Sequence, residues 1–143
     1  MTEITFHFNV RDRAGYACRL LRKATRRQAR IAVTADDEML SALDRQLWEF
    51  EPLEFIPHIR VPAGQGVPAR LRATPIWLVD AASGTDGHEV LVNLGAGTPL
   101  GFESYQRLIE IVSTTESDRS AARLRWRHYA HRGYPIARHE VEE

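Results

Sequence analysis

Lysine is nearly missing from this chain: of nineteen basic residues, only Lys23 is not arginine. Almost every cation is therefore a planar fork suited to carboxylates and phosphates. Cysteine is nearly missing too. The single Cys18 excludes an internal disulfide framework and fits a reducing, cytoplasmic setting. No apolar run exceeds a few residues, far short of a membrane span. The opening MTEITFHFNVRDR carries charge where a secretion signal needs an apolar stretch. The net charge is zero at pH 7, so the molecule as a whole exerts no long-range pull on nucleic acid or anionic membrane. Any electrostatic role must come from local clustering. What is present is ordinary: 143 residues, 43% hydrophobic and 27% charged, enough for a proper core without staples. With no repeat, low-complexity tract or linker, residues 1–143 read as a single domain.

Ile4-Thr5-Phe6-His7-Phe8 alternates as a strand does. Tyr16 to Ala29 puts Tyr16, Leu20, Leu21 and Ala24 on one helical face, with Arg19, Arg22, Lys23, Arg26 and Arg27 outward. Arg30 to Thr34 reads as a buried strand. Asp36 or Asp37 can then cap a helix carrying Leu40, Leu43 and Leu47. This β-α-β-α opening predicts an α/β fold: a mostly parallel sheet flanked by helices, Rossmann-like but without a nucleotide site. Phe55 to Ile59 reads as extended, with Pro57 arguing for an edge strand or strand end. Val61 to Pro75 is a Gly- and Pro-rich loop. Strands follow at Pro75 to Val79 and Glu89 to Leu94, separated by the turn Ser83 to Gly87. Two helices are expected to finish the chain, Phe102 to Ser113 and Asp118 to Arg132, the second stopped by Gly133.

Two stretches carry most of the functional signal. Leu43 to His58 (LDRQLWEFEPLEFIPH) runs an amphipathic helix into an aromatic-rich turn. Arg119 to Tyr134 (RSAARLRWRHYAHRGY) holds five arginines, two histidines, three aromatics and no acid. On a helix Arg119, Arg123 and Arg127 form one stripe with Trp126 beside it. Arginine forks next to an indole suit an acidic, aromatic peptide. They equally suit phosphates and stacked bases of a single strand, and a solvated face with a half-buried tryptophan fits the same pattern. For Trp48 and Phe55 the pattern alone favours core packing. An exposed aromatic patch there would instead mark an interface.

Nothing in the chain has the form of a catalytic centre. Gly95-Ala96-Gly97 follows a strand, yet no third glycine stands at Rossmann spacing and no Gly-Lys-Ser/Thr occurs, so a nucleotide-handling enzyme is disfavoured and a turn expected. His128, His131 and His139, with His7 and His58 elsewhere, lack the thiolate or carboxylate company that zinc favours, so no metal is expected. His58 is read as a structural hydrogen bonder. Cys18 has no histidine neighbour and reads as filler rather than nucleophile.

Together LDRQLWEFEPLEFIPH at 43–58, PIWLVD at 75–80, VLVNL at 90–94 and RWRHYAHRGY at 125–134 resemble the chi subunit of bacterial DNA polymerase III holoenzyme, in order and spacing across essentially the whole chain. The resemblance implies a cofactor-free, non-catalytic accessory to the clamp loader that works in DNA replication. It implies two partners: the psi subunit, and the acidic carboxy-terminal tail of single-stranded DNA-binding protein, which ends in phenylalanine. Contact with nucleic acid would be mainly indirect. Trp48 and Phe55 match the aromatic pair that faces psi, and faces a repair helicase competing for that surface. Arg119, Arg123, Trp126 and Arg127 match the tail-binding helix, the last three standing for an arginine, a tyrosine and a lysine. Val112 and Tyr134 match apolar positions near that pocket. The chain departs in having Trp126 for tyrosine, which loses a hydroxyl, and in the acidic ending Glu140-Val141-Glu142-Glu143. That ending could fold back on the arginines.

Overall fold

The computed structural model describes residues 1–49, 55–82, 85 and 87–142. Phe50 and Pro52 of the aromatic-rich turn, Ser83, Gly84 and Asp86 of the turn after residue 82, and the terminal Glu143 lie outside the described residues.

Alternating Ile4, Phe6 and Phe8 form β1 (Glu3–Val10), and Asp12 caps α1 (Arg13–Arg26) by accepting from the Gly15 N–H at 3.1 Å. A Cβ at Gly15 would meet that carboxylate, so the glycine leaves room for the cap as it stands. The helix stops earlier than its apolar periodicity suggests, with Gln28 in the left-handed region at φ 59°. β2 (Ile31–Thr34) follows, wholly buried. Asp36 caps α2 (Asp37–Glu49) through the Met39 N–H at 2.8 Å, and Leu40, Leu43 and Leu47 face the sheet. Beyond Pro57 comes β3 (His58–Val61), an edge strand as that proline implies. A largely exposed loop with a 3-10 turn at Ala69–Leu71 leads to β4 (Ile76–Val79), then β5 (Val90–Asn93).

The expected helix over Phe102 to Ser113 is not one. A 3-10 turn at Phe102–Ser104 is followed by the strand β6 (Arg107–Ser113). The spacing of Tyr105, Leu108, Ile109 and Val112 looks helical, but Leu108 to Val112 is buried on both faces, and a doubly covered strand has no clean alternation to read. Next, Thr115 caps α3 (Glu116–His131), which ends with Gly133 at φ 82°. The Gly133 and Tyr134 N–H groups donate to the Ala130 and Tyr129 carbonyls, closing the helix end. A last strand, β7 (Ile136–Glu140), was not legible in the sequence.

All strand pairs are parallel, in the order β3-β4-β2-β5-β6-β1-β7. The chain is thus an α/β fold, with a core on each face of the sheet. Leu21, Leu40, Leu43, Ile76 and Ile111 pack between the sheet and α1 and α2. Ile4, Phe6, Leu108, Val112, Ala122 and Tyr129 pack under α3. The acidic ending does not lie free: Val141 is buried in the first of these cores, and its N–H donates to the Phe8 carbonyl at 3.0 Å. Among the described residues no helix is long and apolar enough to cross a membrane.

Candidate protein-binding surfaces

Parallel α/β sheets usually bind ligands beyond the carboxyl ends of their strands. Here that region is filled by the protein's own polar groups. Glu110 of β6 is fully buried and accepts from Arg125 Nε at 3.1 Å, Asn93 Nδ2 at 2.9 Å and the Tyr129 hydroxyl at 2.5 Å. Arg125 Nη1 donates to the Ala96 carbonyl at 2.7 Å, and Asn93 Nδ2 to that of Gly97 at 3.1 Å. Carbonyls of the Gly95–Gly97 turn therefore serve as acceptors for inward-facing donors, not as the frame of an N–H cradle for phosphate. Burial pushes the Glu110 carboxyl up, while Arg125 and the hydrogen bonds oppose it. Burial, with the Glu110 charge beside it, holds the Tyr129 hydroxyl protonated well above the usual phenol range.

This network turns one arginine of α3 inward and leaves Arg119, Arg123 and Arg127 on the exposed face. Together with Trp126 and Val112 they line an open pocket of about 330 Å³. Five of the six tail-pocket residues named from the sequence are thus brought together. The sixth, Tyr134, is not in the lining; its ring lies 5.2 Å from Phe102 in the core beneath α3. Phe6 and Phe8 of β1, Ala122 of α3 and Arg138 of β7 complete the pocket, and sequence reasoning assigned none of them to it. The alternation of Phe6 and Phe8 could have placed them on one face; Arg138 had no such signal, because its strand was not recognised. Trp126 is half-buried against Phe6, with ring centroids 5.0 Å apart. Arg123 Nη1 donates to Glu116 Oε1 at 3.1 Å, and this contact holds the Glu116 carboxyl below its usual range.

A second surface lies at the other side of the sheet. Trp48, at the end of α2, and Phe55, just before β3, are 60% and 67% exposed, with ring centroids 5.6 Å apart. Core packing does not account for them. Beneath them the buried His58 ring sits 4.9 Å from Trp48, donates from Nδ1 to the Ile56 carbonyl at 2.7 Å, and places Nε2 2.9 Å from Asp44 Oδ1. His58 is a structural hydrogen bonder, as the sequence suggested. Between β3 and β1 lie β4, β2, β5 and β6, so the aromatic pair and the arginine pocket are roughly 24 Å apart by strand spacing alone. A single ligand of modest size cannot bridge them.

Other candidates come to little. Among the described residues no three His, Cys, Asp or Glu side chains gather as a metal site. Cys18 is buried, which pushes its thiol up to about 11 and makes it a poor nucleophile.

Comparison with known proteins gives the family. The family model described as DNA polymerase III chi subunit, HolC, matches residues 1–137. DNA polymerase III subunit chi of Pseudomonas aeruginosa is 30% identical over 146 residues, covering 99% of this chain and 98% of that protein. With the match running through the sheet, the buried network and both exposed surfaces, the chain belongs to the chi-subunit family of DNA polymerase III.

Proposed function

We propose that this protein is a non-catalytic adaptor of the polymerase III clamp loader in DNA replication, acting in the cytoplasm. In this reading its arginine pocket holds the acidic carboxy-terminal tail of single-stranded DNA-binding protein, and its Trp48–Phe55 surface holds the psi subunit. The observation that carries the first half is the pocket itself, in which Arg119, Arg123, Arg127 and Arg138 surround an indole and two phenylalanines. Guanidinium forks take the tail's aspartates and terminal carboxylate, while Trp126, Val112, Phe6 and Phe8 accept its terminal ring. Exposed ion pairs contribute only ~0.2–1 kcal/mol each, whereas burying one phenylalanine ring contributes roughly 1.5–3 kcal/mol. Specificity therefore rests on the ring, and the charges make binding modest and salt-sensitive.

The second half rests on the exposed aromatic pair, since two large rings left in water beside a buried, hydrogen-bonded histidine have the character of an interface. A repair helicase using the same two rings would exclude psi. Separation of the surfaces is what an adaptor needs: each partner docks without touching the other.

The test is calorimetric titration with a synthetic tail peptide, with and without its terminal phenylalanine. Micromolar binding that vanishes with that residue supports the pocket. Equal binding by both peptides, or by neither, removes the tail-binding role.

A further inference from the structure

The floor of the arginine pocket is only partly open. Phe6 and Val112 are 4% and 3% exposed, so the core already covers them, and Phe6 packs on Trp126 with ring centroids 5.0 Å apart. Trp126 and Phe8 are half-buried and keep ring surface toward the opening. An incoming aromatic side chain therefore packs between these two. The cations around them are not equivalent. Arg119, Arg123 and Arg127 recur every four residues on α3, roughly 6 Å apart along the helix. Arg138 stands across the floor from that row. Parallel pairing sets it opposite Phe6 in register on the edge strand β7, and its side chain reaches over Phe8, with Cζ 5.8 Å from the ring centroid. It is exposed, and among the described residues it pairs with no carboxylate. Arg123, by contrast, is held by Glu116 at 3.1 Å.

We propose that Arg138 reads the terminal carboxylate of the bound peptide, which makes the pocket specific for a free carboxy terminus and not for any acidic, aromatic segment. The inference rests on the tail-binding reading above. In a carboxy-terminal phenylalanine the carboxylate carbon lies on the order of 5 Å from the centre of its own ring. A ring seated between Trp126 and Phe8 thus brings its carboxylate within reach of a cation that lies over Phe8. A guanidinium over a ring face keeps its N–H edge for a bidentate pair with a carboxylate. The α3 row is spaced for a different load. Side chains on one side of an extended peptide recur about every 6.6 Å, which matches the step of the row and suits aspartates upstream of the terminal ring. The pocket therefore gives the peptide a direction, with its carboxyl end at β7 and its acidic residues along α3.

The experiment is calorimetric titration of the full chain with two tail peptides of one sequence, one ending in a free carboxylate and the other in a carboxamide. The unmodified protein should bind the free acid about tenfold more tightly than the amide, as a charge-assisted pair implies. Arg138→Gln changes an exposed side chain, and an unchanged thermal melt checks that the variant folds. It should lose most of the preference by weakening the free acid, with the amide affinity within about twofold of the parent's. Arg127→Gln should weaken both peptides alike and keep the preference. Equal binding of acid and amide by the parent overturns the assignment of Arg138 while leaving the pocket as a tail site. So does a preference that survives Arg138→Gln, or one lost in Arg127→Gln instead. Failure of the parent to bind either peptide removes the tail-binding reading and this inference with it.

Discussion

Arg125 Nε donates to Glu110 Oε1 at 3.1 Å, with the two side chains only 3% and 0% exposed. Arg125 stands in the middle of the most basic run of the chain, yet it faces the interior while Arg123 and Arg127 face solvent. Ala96 takes its second bond, and Asn93 and Tyr129 share the Glu110 carboxylate. The pair fixes the rotation of α3 about its axis, and that rotation is what puts Arg119, Arg123 and Arg127 around one pocket.

Breaking this pair should therefore be costly. Arg125→Ala or Glu110→Ala leaves a buried charge without its partner, and a loss of about 3–5 kcal/mol is expected in urea unfolding. The double variant Arg125→Met/Glu110→Leu should recover most of that loss, because well-packed apolar side chains avoid the desolvation cost. Single variants as stable as the parent would mean the pair does not anchor α3.

The aromatic pair should behave in the opposite way. Phe55 is 67% exposed, so Phe55→Ala is expected to change stability by no more than about 0.5 kcal/mol. The same substitution should abolish capture of psi while leaving tail-peptide affinity untouched. Joint loss of both activities would mean the two surfaces are not independent.

His58 separates positioning from contact. It has no exposed side-chain surface and bonds the Ile56 carbonyl and Asp44, so His58→Ala should cost about 1–3 kcal/mol by leaving the buried Ile56 carbonyl without its donor. Because the ring also supports Trp48, psi affinity should fall as well, although His58 itself is sealed away from any partner. His58→Ala with full psi affinity would show that Trp48 needs no such support.

Much of this architecture could be read from the residues. The alternation of Ile4, Phe6 and Phe8, the Asp36 cap and the leucines of α2 each obey one local rule, and the opening β-α-β-α units follow from them. The stripe of Arg119, Arg123 and Arg127 needed only a helix to become one wall of a pocket. Three things were hidden, each for its own reason. β6 is buried on both faces, which erases the period that distinguishes strand from helix. β7 is an edge strand with mostly exposed residues, so its sequence IARHE carries no apolar signal and Arg138 could not be assigned to the pocket. Glu110 and Arg125 are fifteen residues apart, and no local pattern marks them as partners; only the packing of α3 on β6 makes them a buried pair.

Glu116 competes for the pocket. Its carboxylate already holds Arg123 at 3.1 Å across an exposed stretch of α3, so an incoming acidic peptide must displace it. Glu116→Gln should strengthen tail-peptide binding by about twofold at low salt, with the gain disappearing as salt is raised. Weaker binding in the variant would mean that Glu116 orients Arg123 for the peptide instead of competing with it.

Acid should destabilise the fold through His7. Burial first, then the charges of His139 and Arg107, lower its pKa from the ordinary 6.5 to about 4, while Tyr16 contributes a hydrogen bond to the neutral ring. Between these two values the unfolded chain binds a proton that the native protein does not, so stability falls as pH drops from about 6.5 towards 4. The ring is only partly buried, and solvent screening reduces the loss to about 1–2 kcal/mol. His7→Gln keeps a polar partner for Tyr16 and removes the titration, so its unfolding free energy should vary less with pH across that window. If the parent and the variant lost stability in parallel, the acid sensitivity would belong to another group.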